Sequence, residues 1–265
     1  MRVTPARDAS PLSYAFLDAA VGAGYERRDD LNGRHQDGAC WTYLNIIDGS
    51  RQSAADGYLR PVLDRANLTV VTGALARRLV VADGRCAGVE YSADSQVRQA
   101  CPSGETILSS GPIGSAQLLM LSGIGPAEHL RAVGVDVVAD LPGVRANLQD
   151  HPLAESSTPQ RSRFRPPRNK LGEVRAAVRT TPGLAGPDVQ VFLIDMPFHP
   201  PSMPGPAAGY TIAFTTLHPH SRGSVQLADA DPSSAPLIET PTQSGHVRAH
   251  IATRIARVLS VMRGA

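Results

Sequence analysis

The groups best placed for chemistry in this sequence are the backbone N–H groups around Ser110-Gly111-Pro112. An apolar, strand-like segment, Thr106–Leu108, precedes this turn, and an apolar run extends from it to Leu121. Pro112 has the fixed φ that suits the first turn of a helix. A strand that enters a glycine turn and then a helix leaves N–H groups free for an anion such as phosphate. The pattern therefore indicates an anion site, although an ordinary βα unit has the same pattern.

Eight histidines raise the alternatives of a catalytic histidine and of a metal site. His246 and His250 stand one helical turn apart and could share a metal ion, but no carboxylate or cysteine stands at matching spacing. We interpret them as a solvated pair and expect no metal site. The sequence contains neither a G-x-S-x-G nucleophile elbow nor a G-x-x-x-x-G-K-[ST] loop. Acyl transfer and nucleotide hydrolysis therefore have no support from a motif.

Composition and charge exclude several classes of partner. The 265 residues are 42% hydrophobic, and 26 basic and 24 acidic side chains give a formal net charge of +2. We expect neither nucleic acid nor a membrane as a partner, and we interpret the basic stretch 161–170 as a solvated loop. The cysteines Cys40, Cys86 and Cys101 cannot all pair, and no signal peptide or membrane-spanning run is recognisable. A reduced cytoplasmic location is the expectation.

The elements that must hold the glycine turn follow from local signals. Ser10-Pro11 predicts the start of a helix that ends near Gly22. The pattern at Leu68–Val71 and from Leu75 onward predicts strands, with a hairpin turn at Asp83-Gly84. The helix after Pro112 is apolar on nearly every face, which predicts burial on all sides. Pro102 predicts a bulge or distorted edge in the strand before the glycine turn.

The second half of the chain predicts an antiparallel sheet after a polar loop. We interpret residues 155–170 as a loop or linker and residues 188–198 as a buried strand. Residues 210–217 and 223–227 predict a further antiparallel pair. A terminal amphipathic helix is predicted over residues 246–262.

Three long stretches resemble the glucose–methanol–choline (GMC) family of FAD-dependent alcohol oxidoreductases. They read GPIGSAQLLMLSGIGPAEHL, LPGVRANLQDHP and LHPHSRGSVQLADADPSSAPLIE. The resemblance implies a mixed α/β fold with a partial FAD-binding Rossmann-like domain and an antiparallel-sheet substrate domain. It divides the chain into a helical segment of the substrate domain (1–66), the partial FAD-binding domain (67–150) and an incomplete substrate-binding domain (151–265).

The same resemblance implies the cofactor, the chemistry and the site. FAD would accept a hydride from a small-molecule alcohol, and Ala76 would contact the adenine through its backbone. The family's catalytic histidine is expected beyond Ala265, so no catalytic residue is assigned. The first FAD-binding unit with its G-x-G-x-x-G is not found, so a complementary chain is a possible partner. The cofactor-binding residues that the resemblance implies are Ala76, Ser110, Gly111, Ser115, Asn147, Asp150 and His151.

Arg51 and Ser53 lie in a further block that resembles the family. They would lie near a phosphate or the substrate, or they are a solvated arginine beside a helix-capping serine. For the whole chain, three hypotheses stay open: the middle portion of a GMC enzyme, a binding or regulatory remnant of that fold, and an unrelated α/β protein whose glycine turn binds an anion.

Overall fold

The computed structural model describes residues 1–6, 8–159, 172–199 and 202–240. The described chain forms two compact units, Met1–Leu68 with His151–Pro219, and Thr69–Asp150 with residues 220–240. The helix predicted over 246–262, with His246 and His250, and the basic stretch 161–170 lie outside the described residues.

The α-helices are α1 (Pro11–Gly22), α2 (Gly111–Leu121) and α3 (Ala127–Ala132). The strands are β1 (Thr4–Pro5), β2 (Gly38–Trp41), β3 (Tyr43–Leu44), β4 (Ile46–Ile47), β5 (Ser50–Arg51), β6 (Leu75–Ala82), β7 (Arg85–Ala93), β8 (Gln96–Ala100), β9 (Ile124–Gly125), β10 (Ala139–Asp140), β11 (Leu153–Pro159), β12 (Val174–Val178), β13 (Val189–Ile194), β14 (Gly209–Thr216), β15 (Ser224–Gln226) and β16 (Leu237–Glu239).

The first unit contains a five-stranded sheet with α1 against one face. The strand order is β11-β14-β13-β12-β2, and every pair is antiparallel. The predicted helix start is confirmed, because the Ser10 hydroxyl accepts a hydrogen bond from the Leu12 N–H at 3.2 Å. Phe16 and Leu17 of α1 share one apolar core with Val191 and Phe214 of the sheet. The hydrophobic stripe of α1 thus covers the sheet, as an amphipathic helix requires.

The pairing of the strands in the second half differs from the prediction. Residues 210–217 do contain a strand, β14, but its neighbours are β11 and β13. Residues 223–227 contain β15, which pairs with β16. The predicted pair is therefore wrong, because alternation identifies a strand without identifying its neighbour. The predicted loop over 155–170 is also wrong where the structure describes it, since residues 153–159 form β11.

The second unit begins with two successive hairpins. Asp83 and Gly84 have φ values of 51° and 72°, which confirms the predicted two-residue turn between β6 and β7. Both positive φ values are those of a type I′ turn. A second turn, at Asp94-Ser95, joins β7 to the edge strand β8. The bulge or distorted edge predicted at Pro102 is not found, because β8 ends at Ala100, before the proline. The register shifts of this sheet lie instead between β6 and β7.

Helix α2 is confirmed, but its burial is incomplete. Ala116, Leu118 and Met120 are buried, whereas Leu119 and Leu121 are half-buried. The prediction of burial on every side is therefore wrong. One side of the helix stays partly open, which an all-apolar composition does not reveal.

Two predicted strands are absent from the described chain. Leu68–Val71 and Thr106–Leu108 form no ladder there, and the side chains of Val70, Val71 and Ile107 are 45%, 48% and 84% exposed. Strand-forming composition cannot make a strand without a neighbouring backbone to pair with. Among the described helices, none is long and apolar enough to span a bilayer.

Candidate functional site

The glycine turn lies at the exposed N-terminus of α2. Gly111 has φ +74°, and a Cβ built at this position would have no atom within 4 Å. No side chain caps this helix end, and both Ser110 and Gly111 are exposed. The backbone N–H groups of the first turn therefore carry the positive end of the helix dipole toward solvent. This geometry can receive an anion such as a phosphate of a nucleotide cofactor.

Two hydrogen-bonded links fix α2 behind that turn. The Ser122 hydroxyl donates to the Leu118 carbonyl and accepts from the Leu79 N–H of β6 at 2.8 Å. The Gln117 side-chain amide donates to the Ser234 carbonyl at 2.9 Å. The helix is thus anchored to β6, the strand that carries Ala76. A pre-positioned helix end binds an anion without a further ordering cost.

Most of the other residues that the resemblance implies as cofactor ligands lie at the surface. Ala76, Asn147 and Asp150 are exposed in the second unit, and His151 is exposed in the first. Asn147 has φ +66°, and its loop is held by the adjacent Leu148, which exchanges two backbone hydrogen bonds with Gly223 at 3.0 and 2.8 Å. Ser115, one turn into α2, is half-buried. The hydrogen bond between Leu79 and Ser122 attaches β6, which contains Ala76, to α2. The role of these residues as cofactor ligands stays a prediction.

A histidine that sequence reasoning did not single out holds part of the second unit together. Nε2 of His129, in α3, accepts a hydrogen bond from the Leu227 N–H at 3.1 Å. Burial lowers the pKa of His129, and the nearby Arg145 guanidinium lowers it further. The imidazole is therefore kept neutral, as an acceptor nitrogen requires. A basic residue in the last turn of a helix was the available signal.

Two acidic residues that sequence reasoning missed lie beside the N-terminus of α1. Glu173 is 1% exposed and accepts hydrogen bonds from the Ser10 N–H at 2.8 Å and the Ser13 hydroxyl at 2.9 Å. Asp195 has its pKa raised to about 6, first by burial and then by the charge of Glu173, while the Ser10 hydroxyl opposes the rise. Only the capping role of Ser10 was visible in the sequence, since both acids are distant from it along the chain.

Arg51 and Ser53 fit the second of their two interpretations. The Ser53 hydroxyl hydrogen-bonds the Asp56 carboxylate at 2.6 Å and accepts from the Asp56 N–H at 3.1 Å. This reciprocal arrangement is that of a capping box and stands just before the short helix Ala55–Leu59, whose N-cap residue is Ala54. Arg51 is exposed in β5.

The described part of the chain contains no set of side chains that could bind a metal ion. No group of three His, Cys, Asp or Glu side chains comes together there. Cys40, Cys86 and Cys101 are free thiols, and burial raises the pKa of Cys40.

Comparison with solved structures defines the class of protein. The chain is similar to pyridoxine 4-oxidase from Mesorbium loti, with a TM-score of 0.88 and 31% sequence identity over 98% of this chain. It also has the fold of Aspergillus oryzae formate oxidase, a protein that contains modified FAD, with a TM-score of 0.81 and 20% identity. The fold of the chain is that of FAD-dependent oxidoreductases.

The family follows from the sequence comparison. A family model for the GMC oxidoreductases matches residues 1–153, and the chain belongs to this family. It is 37% identical over 256 residues to the oxygen-dependent choline dehydrogenase of Rhizobium johnstonii. It is 36% identical over 269 residues to the mitochondrial choline dehydrogenase of Homo sapiens. The expected family and cofactor class are thereby confirmed.

The chain spans about half the length of these relatives. The alignments take in 86% and 90% of this chain but 46% and 44% of the two choline dehydrogenases. The superposition takes in 52% of pyridoxine 4-oxidase.

Proposed function

We propose that this chain supplies part of a GMC-type active site in which FAD oxidises the CH–OH group of a small-molecule alcohol. The observation that carries the proposal is the uncapped N-terminus of α2, with Gly111 at φ +74°, inside the segment that matches the GMC family. A Cβ at Gly111 would meet no neighbouring atom, so the turn offers open space for a phosphate. This open turn supports the proposal.

Each residue of the proposed site has one task. The N–H groups at Ser110 and Gly111 bind a cofactor phosphate, and Ser115 supports them from the next turn of α2. The backbone of Ala76 contacts the adenine. Asn147, Asp150 and His151 orient the cofactor from the loop that follows. Bound FAD would supply the hydride acceptor for alcohol oxidation.

The proposed domain roles follow the family. Residues 1–66 and 151–265 belong to the substrate-binding part, and residues 67–150 form the partial FAD-binding domain. The five-stranded antiparallel sheet supports the first assignment, and the matched glycine turn supports the second. The substrate is a small alcohol, and choline is the first to test, because choline dehydrogenases are among the relatives. The free cysteines support a reducing, cytoplasmic location.

We further propose that the isolated chain is inactive and works with a complementary chain. The 265 residues contain no G-x-G-x-x-G for the pyrophosphate of FAD. The segments Leu68–Val71 and Thr106–Leu108, which are partly exposed, have strand-forming composition and no strand neighbour in the described chain. A partner that presents apolar β-strands would pair with them. The alternative is a non-catalytic binding or regulatory remnant of the fold.

Flavin retention tests these proposals. The chain is purified with added FAD, alone and after co-expression with the regions of the Rhizobium johnstonii relative that it does not match. We expect no flavin absorbance in the near-UV and blue for the chain alone, and bound flavin with dye-coupled choline oxidation for the pair. A Gly111→Val variant, whose side chain fills the open turn, should reduce flavin retention in the pair.

Each outcome addresses a separate part of the proposal. Flavin binding with alcohol oxidation by the chain alone would contradict the need for a partner. A pair that associates but never binds FAD would contradict the flavin function and leave the regulatory remnant.

A further inference from the structure

Two carboxyl groups meet at one end of the sheet in the first unit. Glu173 immediately precedes β12, and Asp195 immediately follows β13. These strands are antiparallel, with Arg175 opposite Phe192, so the start of one lies beside the end of the other. The N-terminus of α1 lies at the same corner, because Ser10 and Ser13 both contact Glu173.

Glu173 is bound by the N-terminus of α1 at this corner. It is 1% exposed, and its Oε2 accepts both the Ser10 N–H and the Ser13 hydroxyl. Both donors lie in the first turn of α1, at the positive end of its helix dipole. The N-terminus of α1 thus neutralises one negative charge.

Asp195 has no comparable set of donors. Both of its carboxyl oxygens are buried, and within the described chain neither has a hydrogen bond of good geometry, although the Ser10 hydroxyl lies near. From the strand side it faces the Glu173 carboxylate, and from α1 it faces the Ser10 hydroxyl. Burial and the Glu173 charge raise its pKa to about 6, because a second negative charge at a buried position is unfavourable.

We propose that Asp195 is a proton-binding site that couples pH to the order of the corner formed by α1 and residues 195–199. With its proton, Asp195 is neutral beside the Glu173 anion. When the proton leaves to solvent, two carboxylates share the corner and repel each other. The site is distinct from the residues proposed to bind FAD.

The segment after Asp195 transmits the change. The Thr211 hydroxyl donates to the Met196 carbonyl at 3.0 Å and accepts from the Phe198 N–H at 2.8 Å. Thr211 is fully buried in β14, so these bonds hold residues 196–198 against the sheet. Movement of an ionised Asp195 toward water weakens the hydrogen bonds that Thr211 makes with Met196 and Phe198. The Phe198 amide therefore reports the state of Asp195.

The test compares the full chain with an Asp195→Asn variant, which keeps the shape of the side chain and removes the titration. The folded-state pKa is raised, so the neutral form is favoured on folding. The stabilisation is present at acid pH and is lost as pH rises through about 6. For the natural chain we expect the protection factor of the Phe198 amide, corrected for intrinsic exchange, to fall about tenfold between pH 5 and pH 7.5. The variant should show no such fall.

Controls separate this site from general effects. Asp18→Asn, at an exposed position of the same helix α1, should leave the fall intact. The side-chain carboxyl carbon of Asp195 should titrate near pH 6 by NMR in the natural chain, which decides the matter even if Asp195→Asn does not fold. Titration near pH 4, or the same fall in Asp195→Asn, would overturn the proposal.

Discussion

The Leu227 N–H donates a hydrogen bond to Nε2 of His129 across 98 positions of sequence, at 3.1 Å. Leu227 is 2% exposed and belongs to the core cluster that contains Met120 and Leu130. The bond therefore attaches the end of β15 to α3 at the edge of the core below α2. The support for the glycine turn depends on contacts of this kind, between segments that are far apart in the chain.

Replacing His129 by alanine should lower the free energy of unfolding by about 1–2 kcal/mol. The buried Leu227 N–H would lose its acceptor, and a lost hydrogen bond of this kind costs about that much. Urea denaturation followed by circular dichroism measures the change. The matched control is His35→Ala, at an exposed position, which should leave the midpoint unchanged. Equal midpoints for both variants would show that the bond contributes nothing.

The same histidine predicts a loss of stability on acidification. Its folded-state pKa lies below 6.5, so folding favours the neutral imidazole. This stabilisation is complete above pH 6.5 and is lost as pH falls through the lowered pKa. We expect the urea midpoint of the natural chain to decline below pH 6.5, and His129→Ala to remove that part of the decline. Parallel pH profiles for the two proteins would contradict the assignment.

Local sequence signals predicted the elements that depend on few residues. The Ser10 cap and the Asp83-Gly84 turn each determine the backbone within a few positions, and both are confirmed. The GMC resemblance rests on the contiguous stretches around Gly111 and Asn147, and the family match confirms it.

Long-range pairing was beyond these signals. The apolar alternation of β14 fits any neighbouring strand, so the sequence did not distinguish β13 from β15. Val70 and Ile107 have strand-forming side chains, yet pairing requires a second backbone, and none is present in the described chain. The contacts of Glu173 and Asp195 depend on β12 and β13 lying side by side. No periodicity within either segment could predict that.

Gly123 follows the end of α2 and Gly134 follows the end of α3, and together they test close packing at the end of α2. Their φ values are +78° and +77°, so an alanine at either position has the same backbone cost of about 1–2 kcal/mol. A Cβ at Gly123 would overlap the Asp136 carbonyl oxygen and lie 2.8 Å from Val138 Cγ2, whereas a Cβ at Gly134 would meet nothing within 4 Å. Gly123→Ala should therefore destabilise the chain by at least about 2 kcal/mol more than Gly134→Ala. Thermal or urea denaturation measures the difference, and equal losses would mean that close approach at Gly123 is unimportant.

Ser122 and Ser115 separate support of α2 from cofactor binding. The Ser122 hydroxyl bridges the Leu118 carbonyl and the Leu79 N–H. Ser122→Ala leaves the half-buried Leu79 N–H without its acceptor and should cost about 1–3 kcal/mol of unfolding free energy. Ser115 is half-buried in the proposed site, and Ser115→Ala should change the unfolding free energy by less than about 0.5 kcal/mol.

The two variants should affect flavin retention by the complemented pair in the opposite way to stability. The comparison is made at equal fractions of folded protein. Ser115→Ala should weaken FAD retention, because its hydroxyl is proposed to assist phosphate binding at the first turn. Ser122→Ala should retain FAD once the helix is folded, since its side chain points into the unit and contacts β6. Loss of flavin with Ser122→Ala alone would mean that the position of α2, rather than the composition of its first turn, limits cofactor binding.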